Sequence, residues 1–157
     1  MFARHTPCVA LTVVTLLSAS LASPAAAQDR IAAAKSIRCS FSRQATGTWK
    51  KDGTTDAAST ASSLVLRFDS INADDGTAQL KTGSMGSEVI VKLAEGYLHF
   101  MQIFRTGPLY TTTVFDKDGP GGRLKAVHSR HEYFPHPLGG ATSSPEQYYG
   151  ECEIVDK

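Results

Sequence analysis

Three histidines and a glutamate near the carboxyl end of the chain are the side chains best suited to bind a metal ion. The run from His131 to His136 comes close to the zinc-binding pattern His-Glu-x-x-His, but it has one residue too many. Pro135 also prevents the helix that would align the two histidines. On a strand, His128 and His131 point to opposite faces because side chains alternate. With Glu132 beside them, we expect solvated or hydrogen-bonded histidines, no metal site and no cofactor.

Arg130 lies on the same predicted strand face as His128. A buried guanidinium there would need an acidic partner such as Glu132, because an unpaired buried charge is very costly. We therefore expect Arg130 at the rim of the fold, with its charged end extended into solvent.

Motifs for nucleophilic catalysis are missing from the sequence. The serine pattern Gly-x-Ser-x-Gly is absent, and residues 83–86 (Gly-Ser-Met-Gly) have the wrong spacing for it. There is also no glycine-rich phosphate loop followed by lysine. Because catalytic groups are brought together by geometry and not by sequence order, a hydrolytic enzyme stays an alternative. It would use at least two titratable side chains, from among His128, His131 and Glu132, converging in one cleft.

Residues 97–115 contain the strongest candidate for a ligand pocket. His99 and Met101 share one face of a predicted strand, and Thr111 and Thr113 share one face of the next. If both faces turned inward, these four side chains would line a mostly apolar cavity with a few polar groups, as small-molecule sites do. The competing interpretation is a filled core in which methionine closes gaps. A core without a cavity would exclude the small-ligand hypothesis.

The first 27 residues have the three-part pattern of a secretory signal peptide. Arg4 and His5 supply a basic start, residues 8–21 are apolar, and residues 25–27 are alanines suited to cleavage. The apolar run is shorter than the roughly 20 residues that span a bilayer. We predict a signal peptide at 1–27, one domain at 28–157, a periplasmic or secreted location, and no stable membrane insertion after cleavage.

Removal of this leader changes both charge and cysteine content. Without Arg4, the 16 basic residues fall by one and equal the 15 acidic ones. A neutral domain has no excess of positive charge with which to attract nucleic acid. Two cysteines, Cys39 and Cys152, are left, and an oxidising compartment favours a disulfide between them.

Alternation of apolar and polar residues dominates the rest of the chain and is typical of half-buried β-strands. It predicts strands at residues 37–42, 64–69, 77–81, 88–93, 97–104, 109–115, 124–134 and 148–155. Turn pairs such as Asp75-Gly76 and Glu95-Gly96 separate them at antiparallel spacing. Residues 53–63 and 135–145 have loop compositions, and residues 29–35 form the one helix candidate.

The unpaired backbone groups at the sheet edges must be protected, either in a closed barrel or in a two-sheet sandwich. Cys39 and Cys152 both fall on apolar strand faces, and a disulfide requires Cα atoms within about 7 Å. The first and last strands are then neighbours. We therefore predict an all-β, antiparallel up-and-down barrel of about eight strands, with the two-sheet β-sandwich as the alternative.

Two short resemblances bear on this fold. Gly47-Thr48-Trp49 matches the Gly-x-Trp signature near the start of lipocalins, which are ligand-binding barrels, although a turn follows it at once. We expect Trp49 to plug one end of the core. Residues 111–115, 126–131 and 145–152 resemble small exported β-rich proteins of proteobacteria. That resemblance implies an envelope location and no particular chemistry.

The leading functional hypothesis is a non-catalytic exported binding module for a small apolar ligand or an envelope protein. The first alternative is a periplasmic enzyme inhibitor or envelope-assembly partner that uses the loop at 135–145. The second alternative is the hydrolytic enzyme described above.

Overall fold

The computed structural model describes residues 30–50, 52–82, 85–135 and 141–156, and every structural statement below concerns these residues. The predicted signal peptide at 1–27 lies outside them, as does His136. A short helical turn at residues 30–33 precedes eight strands. The strands are β1 Ile37–Trp49, β2 Thr55–Asn72, β3 Thr77–Thr82, β4 Met85–Ala94, β5 Tyr97–Ile103, β6 Leu109–Asp118, β7 Leu124–Pro135 and β8 Ala141–Ile154. A single 3-10 turn, Pro120–Gly122, lies between β6 and β7. No helix in the described ranges is long and apolar enough to cross a membrane.

All eight strands form one antiparallel sheet that closes into a barrel. Each strand pairs with the next along the chain, and β8 returns to pair with β1. Cys39 and Cys152 are opposite each other in that last ladder and form a disulfide. The predicted barrel and disulfide are confirmed, and the sandwich alternative is wrong.

Apolar side chains fill the barrel from one end to its middle. Phe68 and Phe100 stack at its centre, with 3.8 Å between ring centroids. Ile31 and Ala34 of the helical turn are fully buried and cover one end, which we call the closed end. The carboxylate of Asp156 accepts hydrogen bonds from the backbone N–H groups of residues 35 and 36 there. The opposite end, toward residues 44–46, is called the mouth.

Three sequence predictions about the mouth side are wrong. Residues 55–63, predicted as a loop, belong to strand β2 because they pair in register with β1. The prediction failed because their serines, threonines and alanines show no alternation of apolar and polar residues. Residues 141–145 likewise belong to β8 and not to a loop; residues 136–140 lie outside the described chain. Trp49 does not plug the core: it is 63% exposed, because the β1–β2 hairpin extends beyond the barrel wall.

Candidate functional site

Strand alternation turns the four predicted ligand-binding residues to the outer surface. They form two adjacent cross-strand pairs between β5 and β6, His99 with Thr113 and Met101 with Thr111. His99 Nδ1 lies 3.0 Å from Thr113 Oγ1, and all four side chains are half-buried. The buried face of the same two strands consists of Leu98, Phe100, Thr112 and Val114. The four residues are therefore neighbours, but they do not face the interior; their role in ligand binding stays a prediction.

The barrel interior is too full to hold a small molecule. The void between Phe100, Thr112 and His128 has a volume of about 10 Å³. That is room for about one water molecule, whereas small-molecule pockets usually enclose about 300–1,000 Å³. A small molecule would not fit this void unless it displaced part of the core.

Polar side chains replace apolar ones inside the barrel at the mouth. We call this set the mouth cluster; it consists of Tyr110, Thr112, His128, Arg130, Glu132, Glu146 and Tyr148. Arg130 Nε donates to His128 Nε2 at 3.2 Å. The proton of the neutral ring is therefore on Nδ1, which lies 2.8 Å from Thr112 Oγ1. Both ring nitrogens of the buried histidine are satisfied.

The guanidinium of Arg130 lies between two tyrosine rings instead of extending into solvent. Its central carbon is 5.3 Å from the Tyr110 ring centroid and 5.1 Å from that of Tyr148, which is cation–π geometry. The Tyr110 hydroxyl donates to Glu132, and the Tyr148 hydroxyl donates to Glu146 at 2.6 Å. Burial and these carboxylates raise the pKa of both tyrosines to about 12. The network therefore keeps the histidine and the two tyrosines neutral, and it holds the charge of Arg130 near those of Glu132 and Glu146.

Of the three residues of the enzyme hypothesis, two come together and the third lies apart from them. His128 and Glu132 both belong to the mouth cluster, whereas His131 is exposed on the opposite face of β7. The predicted opposite orientation of the two histidines is confirmed. Within the described residues, no three histidine, cysteine, aspartate or glutamate side chains converge as a metal site would require.

Burial, together with the smaller effect of the Arg130 charge, lowers the pKa of His128 to about 4. In the unfolded chain the imidazole titrates near 6.5, so acid favours the unfolded state between these two values. We expect the free energy of unfolding to fall by about 3 kcal/mol from this group between pH 7 and pH 4.

Urea unfolding of the wild type and of His128→Gln at several pH values measures this effect. The variant should lose most of that pH dependence, while His131→Gln, an exposed histidine on the same strand, should retain it. An unchanged pH slope in His128→Gln would show that other groups cause the acid sensitivity.

A concave surface lies on the outer wall, across the neighbouring strands β1, β8, β7 and β6. It encloses about 870 Å³, and we call it the outer groove. Its lining consists of Arg38, Ser40, Ser42, Arg43, Phe115, Lys117, Arg123, Lys125, Ala126, Val127, Tyr149, Gly150, Glu151 and Glu153.

Bulges and small residues bend the barrel wall inward at the outer groove. The ladders of β1 shift register between Phe41 and Arg43, and the β6–β7 ladder shifts between Val114 and Asp118. Gly150 lies directly against the first bulge: a Cβ added there would be 2.1 Å from the Ser40 carbonyl oxygen. Bulges increase local bending, and only glycine permits such a close backbone approach. The concave shape of the wall therefore results from the path of the backbone and not from side chains alone.

The outer groove carries an excess of positive charge. Five basic side chains and two acidic ones line it. The two glutamates pair with Arg38 and Arg123, each at 3.7 Å. The remaining cations, Arg43, Lys117 and Lys125, make no ion pair with the described residues.

Apolar and aromatic surface lies between these charges. Phe115 and Val127 are half-buried, and Tyr149 is 45% exposed. A groove with cations around a partly apolar floor attracts anions and also offers contact area to an apolar body. Sequence reasoning missed this site, although the outward basic positions on β1, β6 and β7 and Gly150 were visible signals.

Comparison with known proteins gives this chain no relative. No protein-family model, curated protein sequence or solved structure matches it.

Proposed function

We propose that this chain is an exported, non-catalytic binding module that takes its ligand in the outer groove and not inside the barrel. The ligand class is an amphiphilic anion, a molecule with an apolar body and a phosphate or carboxylate head. The proposal depends on the groove of about 870 Å³, in which Arg43, Lys117 and Lys125 make no ion pair with other described residues and lie around an apolar floor.

Size and chemistry both support this ligand class. The groove volume falls within the usual range for small-molecule sites, whereas the interior void does not. Arg43 offers a planar guanidinium suited to a bidentate carboxylate or phosphate, and Lys117 and Lys125 add compact positive charges. Phe115 and Tyr149 supply flat apolar surface for the body of the ligand.

The composition of the groove supports binding over catalysis. Its described lining contains neither histidine nor cysteine, the side chains that most often act as base or nucleophile near neutral pH. Its carboxylates, Glu151 and Glu153, are held by arginines.

Isothermal titration calorimetry with dodecyl phosphate, kept below its micelle concentration, tests the proposal. We expect saturable binding that weakens with added salt, because exposed charges are screened. The double variant Arg43→Gln/Lys125→Gln should bind about tenfold more weakly, equivalent to about 1.4 kcal/mol.

The matched control is Lys81→Gln/Lys92→Gln, which removes two exposed cations that do not line the groove. It should bind like the wild type. Equal affinity for dodecyltrimethylammonium, or equal weakening by both double variants, would contradict a cationic groove selective for anions.

A further inference from the structure

The three cations of the outer groove that make no ion pair with described residues fall into two groups, on opposite sides of its floor. Lys117 and Lys125 lie on the adjacent strands β6 and β7, in the segment where that ladder shifts register between Val114 and Asp118. Arg43 lies on β1, and β8 separates it from β7. The positive charge of the groove is therefore divided between two separate places.

Uncharged side chains lie between the two groups. Arg43, Tyr149 and Val127 are directly opposite one another on the three adjacent strands β1, β8 and β7. The Tyr149 hydroxyl donates to the side-chain oxygen of Gln147 at 2.7 Å, so the polar end of this ring is already bonded within the protein. What Tyr149 and Val127 offer a ligand at this point is the apolar surface of a ring and of an aliphatic side chain.

The acidic side chains of the groove leave both groups of cations available. The cross-strand partners of Arg43 are Ala61 and Tyr149, and both are uncharged. Glu151 is opposite Lys125 in the β7–β8 ladder, but its carboxylate forms its ion pair with Arg123, at 3.7 Å. Each side of the floor therefore has a positive potential that attracts an anion.

We infer that the ligand of the outer groove carries two anionic groups, one at each end of an apolar chain, as in an α,ω-dicarboxylate. One anionic group binds Arg43 and the other binds Lys117 and Lys125, while the chain lies over Tyr149 and Val127. This inference rests on the proposed function, and it narrows the ligand class from amphiphilic anions in general to those with two heads.

Strand geometry sets the distance that such a ligand has to span. Val127 is two interstrand spacings from Arg43, and Lys125 is two residues further along β7, so the Cα atoms of Arg43 and Lys125 are about 12 Å apart. Extended decanedioate measures about 11 Å between its carboxyl carbons, because its C–C bonds are about 1.5 Å long. The flexible side chains of Arg43 and Lys125 accommodate a difference of this size.

Isothermal titration calorimetry with decanedioate and decanoate, two ligands of equal chain length, tests the inference. At a groove with one cationic site, exchange of the terminal methyl group for a second carboxylate weakens binding, because a charge replaces apolar contact. At a groove with two cationic sites, the same exchange strengthens binding. We expect decanedioate to bind at least tenfold more tightly than decanoate, and the shorter hexanedioate to lose most of this advantage.

Variants of each cationic group show whether both ends of the ligand are bound. Arg43→Gln and Lys117→Gln/Lys125→Gln should each remove most of the preference for decanedioate. Arg43→Lys should retain part of it, because lysine keeps the charge but lacks the planar fork of arginine. The control Lys81→Gln/Lys92→Gln should keep the wild-type preference, since these exposed lysines do not line the groove. Circular dichroism verifies that each variant folds.

The outcomes separate this inference from the proposed function. Saturable binding of dodecyl phosphate without a preference for decanedioate over decanoate would overturn the two-headed ligand and leave the proposed function intact. A preference for decanedioate that survives the loss of either cationic group would also overturn the inference. If dodecyl phosphate, decanoate and decanedioate all fail to bind, both the inference and the proposed function are wrong.

Discussion

Loss of the disulfide between Cys39 and Cys152 should lower the free energy of unfolding by about 5 kcal/mol. The two cysteines are 113 residues apart in sequence, so the bond closes nearly the whole folded chain into one loop. By chain-entropy arguments, the stabilisation grows with the logarithm of the loop length and reaches about this value for such a loop. This equals much of the net stability of a small domain.

Urea unfolding of Cys39→Ala/Cys152→Ala against the oxidised wild type measures the effect. The control is the wild type in a reducing agent, which opens the bond without removing the buried sulfur atoms. Both samples should lose stability, with the smaller loss in the reduced wild type. A loss below about 1 kcal/mol in both would mean that the bond does little to restrict the unfolded chain.

Replacement of Gly150 by alanine should destabilise the fold by at least about 3 kcal/mol, the upper part of the range for overpacking. The new Cβ would lie 2.1 Å from the Ser40 carbonyl oxygen and 2.6 Å from Phe41 Cα. Both obstacles are backbone atoms beside the β1 bulge, so they cannot move aside as a flexible side chain could. The strands β1 and β8 would have to separate where they close the barrel.

Thermal and urea unfolding of Gly150→Ala give the magnitude. Gly47→Ala is the matched control in the same pair of strands, because a Cβ there would meet only the Pro145 ring at an ordinary 3.7 Å. We also expect Gly150→Ala to weaken dodecyl phosphate binding, since the groove depends on this close approach. If Gly150→Ala unfolds with the same free energy as the wild type, the barrel wall can move outward at this point without loss of stability.

Sequence alternation was sufficient to predict the strand order because buried and exposed positions differ in polarity along most strands. Cys39 and Phe41, for example, alternate with exposed Arg38 and Ser40. The same rule failed for β5, where Leu98 and Phe100 on one face and Tyr97 and Met101 on the other are all apolar. Composition alone could not decide which face turns inward, and in the structure His99 and Met101 lie on the outward one.

Other features depend on long-range geometry that no local pattern contains. The small polar residues 55–63 have a loop composition, yet pairing with β1 holds them as a strand. The outer groove requires two register shifts and the close approach at Gly150, which appear only once the strands are assembled. The mouth cluster likewise joins Arg130 to aromatic rings on two other strands.

Pairing of the first strand with the last has a kinetic consequence. The β1–β8 ladder joins residues such as Ile37 and Ile154, so its contacts have almost the greatest sequence separation that the chain allows. Folding slows as the mean separation of contacting residues rises, because the entropy of closing a long loop is lost before those contacts form. During synthesis, one side of β1 therefore stays open until β8 emerges. This interval is when the chain most needs a chaperone that shields exposed strand edges.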